Sequence, residues 1–432
     1  MNDDARTIVF FPEGAFGPTN NCVGIGNVLK ERGHRVVFIV EESFAGTLEA
    51  KGFEEARMRL QPPAEVEEEP GQFWKDFIRD TAPEFRKPTI EQLETFIKPT
   101  YQALIDGAMY VDDRLREIFD VLRADAIVED NVVGFPALPA SGRPWIRIAS
   151  VNPLEVKDPG IPPVFSGYPQ DDRSMWNEFW AEYDRVLGPQ VGAFDAWVRG
   201  RGAPPLPSRR DYIWESPFLN LYVYPEEADY PRSRPLAPTW RRLDASVRGS
   251  DEAYTEHGRL ASDGALVYLS LGSLASADVD LMKRLVDVLG RTPHRYIVSK
   301  GPQAELYDLA DNMVGAEFVP QPAILPNVDL VVTHGGNNTV TESWYFGKPM
   351  IVLPVFWDQY DNAQRADELG LGVRLATYTF EDEELTVAID RLLSDRTLSG
   401  RLGAMSARLR AHPGTVTAAD AIERLARGGG AS

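Results

Sequence analysis

Short apolar runs alternate with helical patterns in two separate parts of the chain, and this alternation restricts the fold more than any other feature. Near the N-terminus, residues 7–11 and 36–40 are typical of buried strands, and the segment between them is typical of a helix that stops at Gly33. A strand, a helix and a strand within ~35 residues form a βαβ unit, which requires parallel strands. The N-terminal part is therefore expected to be an α/β domain.

A second alternation follows near the middle of the chain. Strands are predicted at residues 266–271, 296–298, 330–333 and 350–353, with helical patterns between them. The two alternations share no sequence repeat, so only their architecture is alike. A second α/β domain with its own parallel sheet is therefore expected.

Residues 231–263 combine three prolines with a polar stretch, as is typical of an interdomain linker. We therefore expect an N-terminal domain in residues 1–230 and a C-terminal domain in residues 264–405. A helical tail, residues 406–432, completes the chain, and its last helix could pack on either domain.

Two longer helical patterns, residues 76–122 and 168–200, are rich in large aromatic side chains. Core packing is one interpretation of the second pattern, and the lining of an acceptor pocket is the other. A short strand is predicted at residues 126–128, and it ends at the carboxylates Glu129 and Asp130.

The composition excludes several classes of partner. The 432 residues carry a net charge of −20, so the chain would be repelled by nucleic-acid phosphates and fits poorly with an anionic membrane. The single cysteine, Cys22, excludes an intramolecular disulfide and a cysteine-rich metal site. No signal peptide is evident, and the apolar runs fall far short of the ~20 residues of a membrane span. A cytoplasmic enzyme, monomeric or homodimeric, is expected.

The most informative stretch is the run of residues 333–342, which begins where a predicted strand ends and continues into a helix. Gly335 and Gly336 would let the backbone approach a ligand closely. Asn338 and Thr339 are expected to cap and open the helix, which would present free N–H groups and a positive dipole end. Such an arrangement binds anions, and a diphosphate is the natural occupant.

The run extends from His334 to Ala363 as H-G-G-x-N-T-x-x-E-x(4)-G-x-P-x(4)-P-x(3)-D-Q-x-x-N-A without a gap. This pattern closely resembles the nucleotide-sugar signature of the UDP-glycosyltransferases. The resemblance implies the α/β fold called GT-B, in which two Rossmann-like parallel-sheet domains face each other across a cleft. It also implies an inverting transfer of a hexose from a UDP- or TDP-sugar to a hydroxyl or amine of a small, secondary-metabolite acceptor.

The resemblance also implies a role for each matching residue of the donor site. The diphosphate would be bound by His334, Asn338 and Thr339 beside Gly336. The ribose hydroxyls would be bound by Glu342, and the hydroxyls of the sugar by Asp358 and Gln359. Upstream, the base would be held by Phe318, Val319 and Gln321, and the phosphates would also be reached by Ser273.

No metal ion or other cofactor is expected, because a helix terminus with His334 and Thr339 could stabilise the departing diphosphate. The pair Asp278 and Asp280 could be mistaken for a metal-binding D-x-D motif. It begins a predicted helix, so we interpret these carboxylates as solvated capping groups.

The N-terminal half departs from the family in one respect. The family usually places a general-base histidine after the first strand, but that position falls on Pro18 here, or on Ala15 in the other alignment. Three explanations are open. Asp130, or second to it Glu13, could act as the base. The acceptor could be an amine or an acidic phenol that needs little deprotonation. Alternatively, the protein could be a catalytically weak nucleotide-sugar-binding partner or activator.

Overall fold

The computed structural model describes residues 5–62, 76, 80–249, 253–260 and 263–428. In this part of the chain, two parallel sheets of seven and six strands form the cores of two domains. The strands of the first sheet are β1 (Thr7–Pro12), β2 (Arg35–Glu41), β3 (Glu54–Met58), β4 (Ala126–Asp130), β5 (Trp145–Ala149), β6 (Leu219–Tyr222) and β7 (Trp240–Arg242). They lie side by side in the order 3-2-1-4-5-6-7.

The central strand β1 shows why the sheet is parallel and buried. Val9 and Phe11 pack into one core cluster, whereas Ile8 and Phe10 pack into the cluster on the opposite face. Both faces are thus covered, which is the environment of parallel strands and explains the continuous apolar run.

Helices cover both faces of this sheet. They are α1 (Phe16–Glu31), α2 (Thr89–Gln92), α3 (Lys98–Leu122), α4 (Ala137–Ala140) and α5 (Trp176–Gly200), with a π-helical turn (Leu93–Ile97) between α2 and α3. Within the predicted helical stretch 76–122, residues Ala82–Arg86 form a 3₁₀ helix before α2 begins at Thr89, while residues 77–79 lie outside the described part. Gly33 has a φ of 88°, as its role as a helix stop requires.

The strands of the second sheet are β8 (Leu266–Ser270), β9 (Arg295–Ser299), β10 (Met313–Ala316), β11 (Leu330–Thr333), β12 (Met350–Val352) and β13 (Gly372–Arg374). They lie in the order 10-9-8-11-12-13. The second set of helices is α6 (Gly272–Ala275), α7 (Val279–Gly290), α8 (Gln321–Ile324), α9 (Asn337–Tyr345), α10 (Gln359–Glu368), α11 (Asp382–Ser394), α12 (Arg396–Ala411) and α13 (Gly414–Ala426). Among the described residues, none of the helices is long and apolar enough to cross a membrane.

Both sheets reverse their strand order at one point, between β1 and β4 in the first and between β8 and β11 in the second. Ligands of open α/β sheets bind at such switch points, at the carboxyl ends of the strands. The two-domain α/β fold predicted from the sequence is therefore confirmed, and each domain offers one crevice.

The chain returns to the first domain at its end. Ala418 and Ile422 of α13 share a core cluster with Ile25 of α1, and His34 Nε2 lies 3.1 Å from a carboxylate oxygen of Glu423. The last helix thus packs on the first domain. The expected boundary at residue 405 is wrong as a structural break, because it falls inside α12.

The expected linker contains more structure than its prolines indicate. Its residues Trp240–Arg242 form β7, which pairs with β6, so the first sheet extends past residue 230. Residues 250–252 and 261–262 of the linker lie outside the described part of the chain.

The segment before α5 joins the two domains. The backbone N–H groups of Phe165 and Gly167 donate to the two carboxylate oxygens of Asp361 on α10, at 2.7 and 2.8 Å. The helix predicted over 168–200 therefore begins only at Trp176, because the preceding residues form a loop against the second domain.

Candidate active site

Two carboxylates meet at the switch point of the first sheet. Glu13 follows β1 and Asp130 ends β4, and the Glu13 N–H donates to the carbonyl oxygen of Asp130 at 2.9 Å. Both residues line a cavity whose opposite wall is formed by Leu274, Phe356 and Trp357 of the second domain. The fold therefore places both candidate bases opposite the donor half.

Asp130 is almost completely enclosed. Its Oδ1 accepts a hydrogen bond from Ser150 Oγ at 2.8 Å, while its Oδ2 is buried and has no partner among the described residues. Burial and, to a smaller extent, the nearby charge of Glu13 raise the pKa of Asp130 to about 7, although the hydrogen bond from Ser150 opposes the shift.

Glu13 is the more accessible of the two. It lines the cavity between the domains and a second cavity within the first domain, and its carboxylate accepts no hydrogen bond from the described residues. Burial among apolar groups raises its pKa to about 7. Two neighbouring carboxyl groups that titrate in this range share about one proton near neutral pH.

The two cavities join at Glu13, Leu104, Asn131 and Val132, which line both of them. They enclose about 830 and 870 Å³ of empty space, including the part that is open to solvent. Small-molecule sites usually measure about 300–1,000 Å³ and have largely apolar walls. The cavities therefore suit a small organic molecule.

His334 follows β11 at the switch point of the second sheet, and its ring is confined between two glycines. A Cβ atom on Gly272 would lie 2.7 Å from His334 Cε1, and one on Gly336 would lie 2.6 Å from Nε2. Burial lowers the pKa of His334 to about 4. The ring is therefore neutral at neutral pH, and it can form hydrogen bonds without carrying a charge.

We predict that Gly272→Ala weakens the binding of UDP, because the new methyl group displaces the His334 ring. Gly272 also has a φ of 73°, which is unfavourable for alanine. Titration calorimetry with UDP would measure the effect. Gly188→Ala is the control, because a Cβ there meets nothing within 4 Å. Equal UDP affinity in the Gly272 and Gly188 variants would contradict the prediction.

The expected cap of the next helix is wrong. Helix α9 begins at Asn337 with Gly336 at its N-cap position, whereas the Asn338 side chain crosses the cleft. It donates to the carbonyl oxygen of Gly17 at 2.9 Å and accepts from Asn21 Nδ2 at 2.9 Å. Asn338 cannot cap because α1 engages both ends of its amide. None of the described side chains caps α9, so its first-turn N–H groups stay available to an anion.

Glu342 lies one turn further along α9 and is 2% exposed. Its Oε2 accepts from Gln321 Nε2 at 2.6 Å, and its Oε1 lies 3.4 Å from Arg248 Nη1. The hydroxyl of Thr339 donates to Gln321 Oε1 at 3.3 Å. Burial raises the pKa of Glu342, although Arg248 and Gln321 oppose the shift. A ribose would therefore have to exchange with these partners.

The remaining residues expected at the donor site follow the carboxyl ends of β10 and β8. Phe318 is 49% exposed on the loop between β10 and α8, Val319 follows it, and Gln321 is the first residue of α8. Ser273 lies on α6, directly after the Gly272 that contacts His334. Base stacking by Phe318 and phosphate binding by Ser273 stay predictions.

The loop after β12 brings Asp358 and Gln359 to the cleft. Asp358 Oδ2 accepts from the backbone N–H of Asn152 at 2.8 Å, and burial raises the pKa of Asp358 to about 7. Gln359 Oε1 accepts from the N–H groups of Val355 and Phe356 at 3.0 and 3.2 Å. Its amide N–H groups are thus the part of Gln359 that a sugar could use.

Trp357 occupies a strained position in this loop, with a φ of 58°. Its ring lies 4.6 Å from the ring of Phe165 and 5.1 Å from that of Tyr101. These aromatic contacts hold the indole over the cavity between the domains. The strained residue therefore forms part of the wall of this cavity.

Asp278 caps a helix, as we inferred from the sequence, but it is not solvated as expected, because its side chain is 10% exposed and its Oδ2 accepts from the Tyr378 hydroxyl at 3.2 Å. Its Oδ1 accepts from the backbone N–H of Leu281 at 3.1 Å, so it is the N-cap residue of α7, and Asp280 lies in the first turn.

Three site residues were not foreseen from the sequence. Arg248 and Asn152 reach the donor half from outside its motif, and no local pattern marks them. Arg147 lines the cavity between the domains. A signal existed for Arg147, because it is the one charged residue in an otherwise apolar strand, Trp145–Ala149.

Comparison with known proteins agrees with this geometry. The family described as "UDP-glucoronosyl and UDP-glucosyl transferase" matches residues 248–409. The chain is similar to an oleandomycin glycosyltransferase of Streptomyces antibioticus, with 28% identity over 96% of this chain and 90% of the relative. A solved glycotransferase of kitacinnamycin superposes with a TM-score of 0.69 at 23% identity, over 98% of this chain and 99% of that one.

A further relative decides the family. The uncharacterized UDP-glucosyltransferase YdhE of Bacillus subtilis is 30% identical over 402 residues, which cover 90% of this chain and 90% of the relative. Together with the shared two-domain GT-B architecture, this similarity extends well beyond the nucleotide-sugar motif. The chain belongs to the UDP-glycosyltransferase superfamily and is a glycosyltransferase.

Proposed function

We propose that the protein transfers a hexose from a UDP- or TDP-sugar to a hydroxyl or amine of a small molecule, with inversion and without a metal ion. The observation that carries this proposal is the carboxyl pair Glu13 and Asp130, which faces Phe356 and Trp357 of the second domain across one cavity. The similarity to an oleandomycin glycosyltransferase supports a small-molecule acceptor.

Glu13 is the better candidate for the general base, whereas the sequence alone favoured Asp130 over Glu13. Asp130 Oδ1 is engaged by Ser150, and its Oδ2 is enclosed, whereas the Glu13 carboxylate is partly exposed in both cavities. A general base must reach the proton that it removes. Asp130 would then act on Glu13 through its charge, as a positioning residue.

The donor half would stabilise the departing diphosphate. Charge develops on that group as the acceptor attacks the anomeric carbon from the opposite side. The uncapped N–H groups of α9 and the neutral His334 ring are fixed in place beforehand, so they cost little reorganisation during the reaction. The bond to the diphosphate breaks, the bond to the acceptor forms, and the acceptor proton passes to Glu13.

Turnover is the direct test. The pure protein would be incubated with UDP-glucose and with TDP-glucose, with and without EDTA, together with a panel of small phenols, alcohols and amines. Mass spectrometry would detect glucosides, and nuclear magnetic resonance would assign the anomer. We expect β-glucosides from the α-linked donors, unchanged by EDTA. Affinity for UDP without transfer to any acceptor would instead indicate a binding partner or activator.

A further inference from the structure

Arg147 is a buried cation whose hydrogen-bonding groups are unused. It is 4% exposed, its guanidinium group forms no hydrogen bond with any described residue, and its Nε is among the buried atoms that lack a partner. The nearest carboxylate oxygen, Glu155 Oε1, lies 3.8 Å from Nη2, which is too far for a hydrogen bond. A buried guanidinium in this state is unfavourable unless a ligand or water binds it.

The neighbours of Arg147 are a distant ion-pair partner, Glu155, and the Trp240 ring, whose centroid lies 5.8 Å from the guanidinium carbon, and neither accepts a hydrogen bond from it. Glu155 is shared with Lys157, whose Nζ is 3.6 Å from the same oxygen. Glu129 lies opposite Arg147 in the strand register, but it makes no hydrogen bond to it. Burial also raises the pKa of Glu129 to about 8, so this carboxyl is mostly neutral near pH 7. The positive charge of Arg147 is thus only partly compensated.

Arg147 lines the same cavity as Glu13, at a defined separation from it. The register pairs Pro12 with Asp130 and Glu129 with Arg147, so Glu13 lies two residues further along its strand and two strands away. With strands ~4.8 Å apart and a rise of ~3.3 Å per residue, the two Cα atoms are about 12 Å apart. Both side chains reach into the cavity and shorten this distance.

We propose that Arg147 binds a carboxylate or carbonyl oxygen of the acceptor, and that it selects acceptors in which this oxygen lies within about 10 Å of the glycosylated group. The inference rests on the proposed function, because it assigns the cavity to the acceptor. A guanidinium suits this role, since it presents parallel N–H donors to a planar oxygen group.

The test uses three aromatic probes of one shape: 6-hydroxy-2-naphthoate, its methyl ester and 2-naphthol. Calorimetry in the presence of UDP would measure their Kd values. We expect the naphthoate, the ester or both to bind roughly 10- to 100-fold tighter than 2-naphthol, as a hydrogen bond to a charged group allows. If only the naphthoate binds tighter than 2-naphthol, Arg147 binds a carboxylate, and if the ester also binds tighter, Arg147 accepts a carbonyl oxygen.

Variants assign the preference to Arg147. In Arg147→Met the ratio of the Kd for 2-naphthol to the Kd for the oxygen-bearing probes should fall to about 1, and Arg147→Lys should keep an intermediate ratio. Binding of UDP with the wild-type Kd, in the second domain, would show that the variant is folded. Arg114→Met, which removes an exposed arginine of α3, is the matched control and should behave like the wild type.

Several results would overturn this inference. They are equal binding of all three probes by the wild type, failure of both oxygen-bearing probes to bind, or an intact preference in Arg147→Met. If Arg147→Met does not fold, an undiminished preference in Arg147→Lys would overturn the inference equally. Glucosylation of 2-naphthol and UDP binding test the proposed function independently, so either proposal can fail alone.

Discussion

Replacing Glu13 with glutamine is expected to lower kcat by about 10²- to 10⁴-fold, the usual contribution of a general base. The substitution keeps the shape of the side chain but removes its ability to accept a proton. Donor affinity should not change, because Glu13 lies in the acceptor half. Steady-state kinetics with any acceptor that the turnover screen identifies would measure kcat, and calorimetry would measure the Kd for UDP.

The pH dependence of the wild type follows from the same assignment. A base must be ionised, and the pKa of Glu13 is raised to about 7. Below this pH the base is protonated, so kcat/KM should fall about tenfold per pH unit, and above it the rate should level off. In Asp130→Asn the neighbouring negative charge is lost, which lowers the pKa of Glu13. The pH at which kcat/KM begins to fall should therefore be lower than in the wild type.

Glu41→Gln is the control for the Glu13 variant. Glu41 lines the first cavity as well, and its carboxylate accepts from the N–H of Ser43 at 2.7 Å. Its replacement should leave kcat nearly unchanged. Full activity in Glu13→Gln with a large loss in Asp130→Asn would make Asp130 the base. Full activity in both would reject both residues and favour an acceptor that needs little deprotonation.

The sequence predicted most of the inner strands. The apolar runs at residues 7–11 and 330–333 fall within β1 and β11, because a strand that is covered on both faces is usually apolar throughout. Strands β3, β7, β10 and β13 were missed, and all four are sheet edges, where a half-exposed strand has no such requirement. The buried strands β5 and β6 were also missed, because Arg147 and Asn220 interrupt their short apolar runs.

The site was predictable only where it is local in sequence. The residues from His334 to Gln359 lie in two consecutive strand–turn–helix units, so their spacing can be recognised in one continuous stretch of sequence. The contacts of Asn338 with Gly17 and of Asp358 with Asn152 join residues more than 200 positions apart. Such pairs depend on how the domains meet, and no local pattern encodes that.

Replacing His334 with alanine is the second variant with a large expected effect. It removes the one ring that lies between Gly272 and Gly336 beside the start of α9. We expect the Kd for UDP and TDP to rise roughly 10- to 100-fold, the value of a hydrogen bond to a charged group. We also expect kcat to fall about 10²- to 10³-fold, because the charge on the diphosphate grows in the transition state.

Thermal unfolding with and without UDP separates a lost site from a lost fold. At a UDP concentration 100 times the wild-type Kd, bound ligand stabilises the wild type by about 2.7 kcal/mol, and a variant with a 100-fold higher Kd by only about 0.4 kcal/mol. Without UDP, the two unfolding midpoints should be similar. His294→Ala, which removes a second-domain histidine paired with Asp390, should keep the full UDP shift. A full shift in His334→Ala as well would place the diphosphate elsewhere.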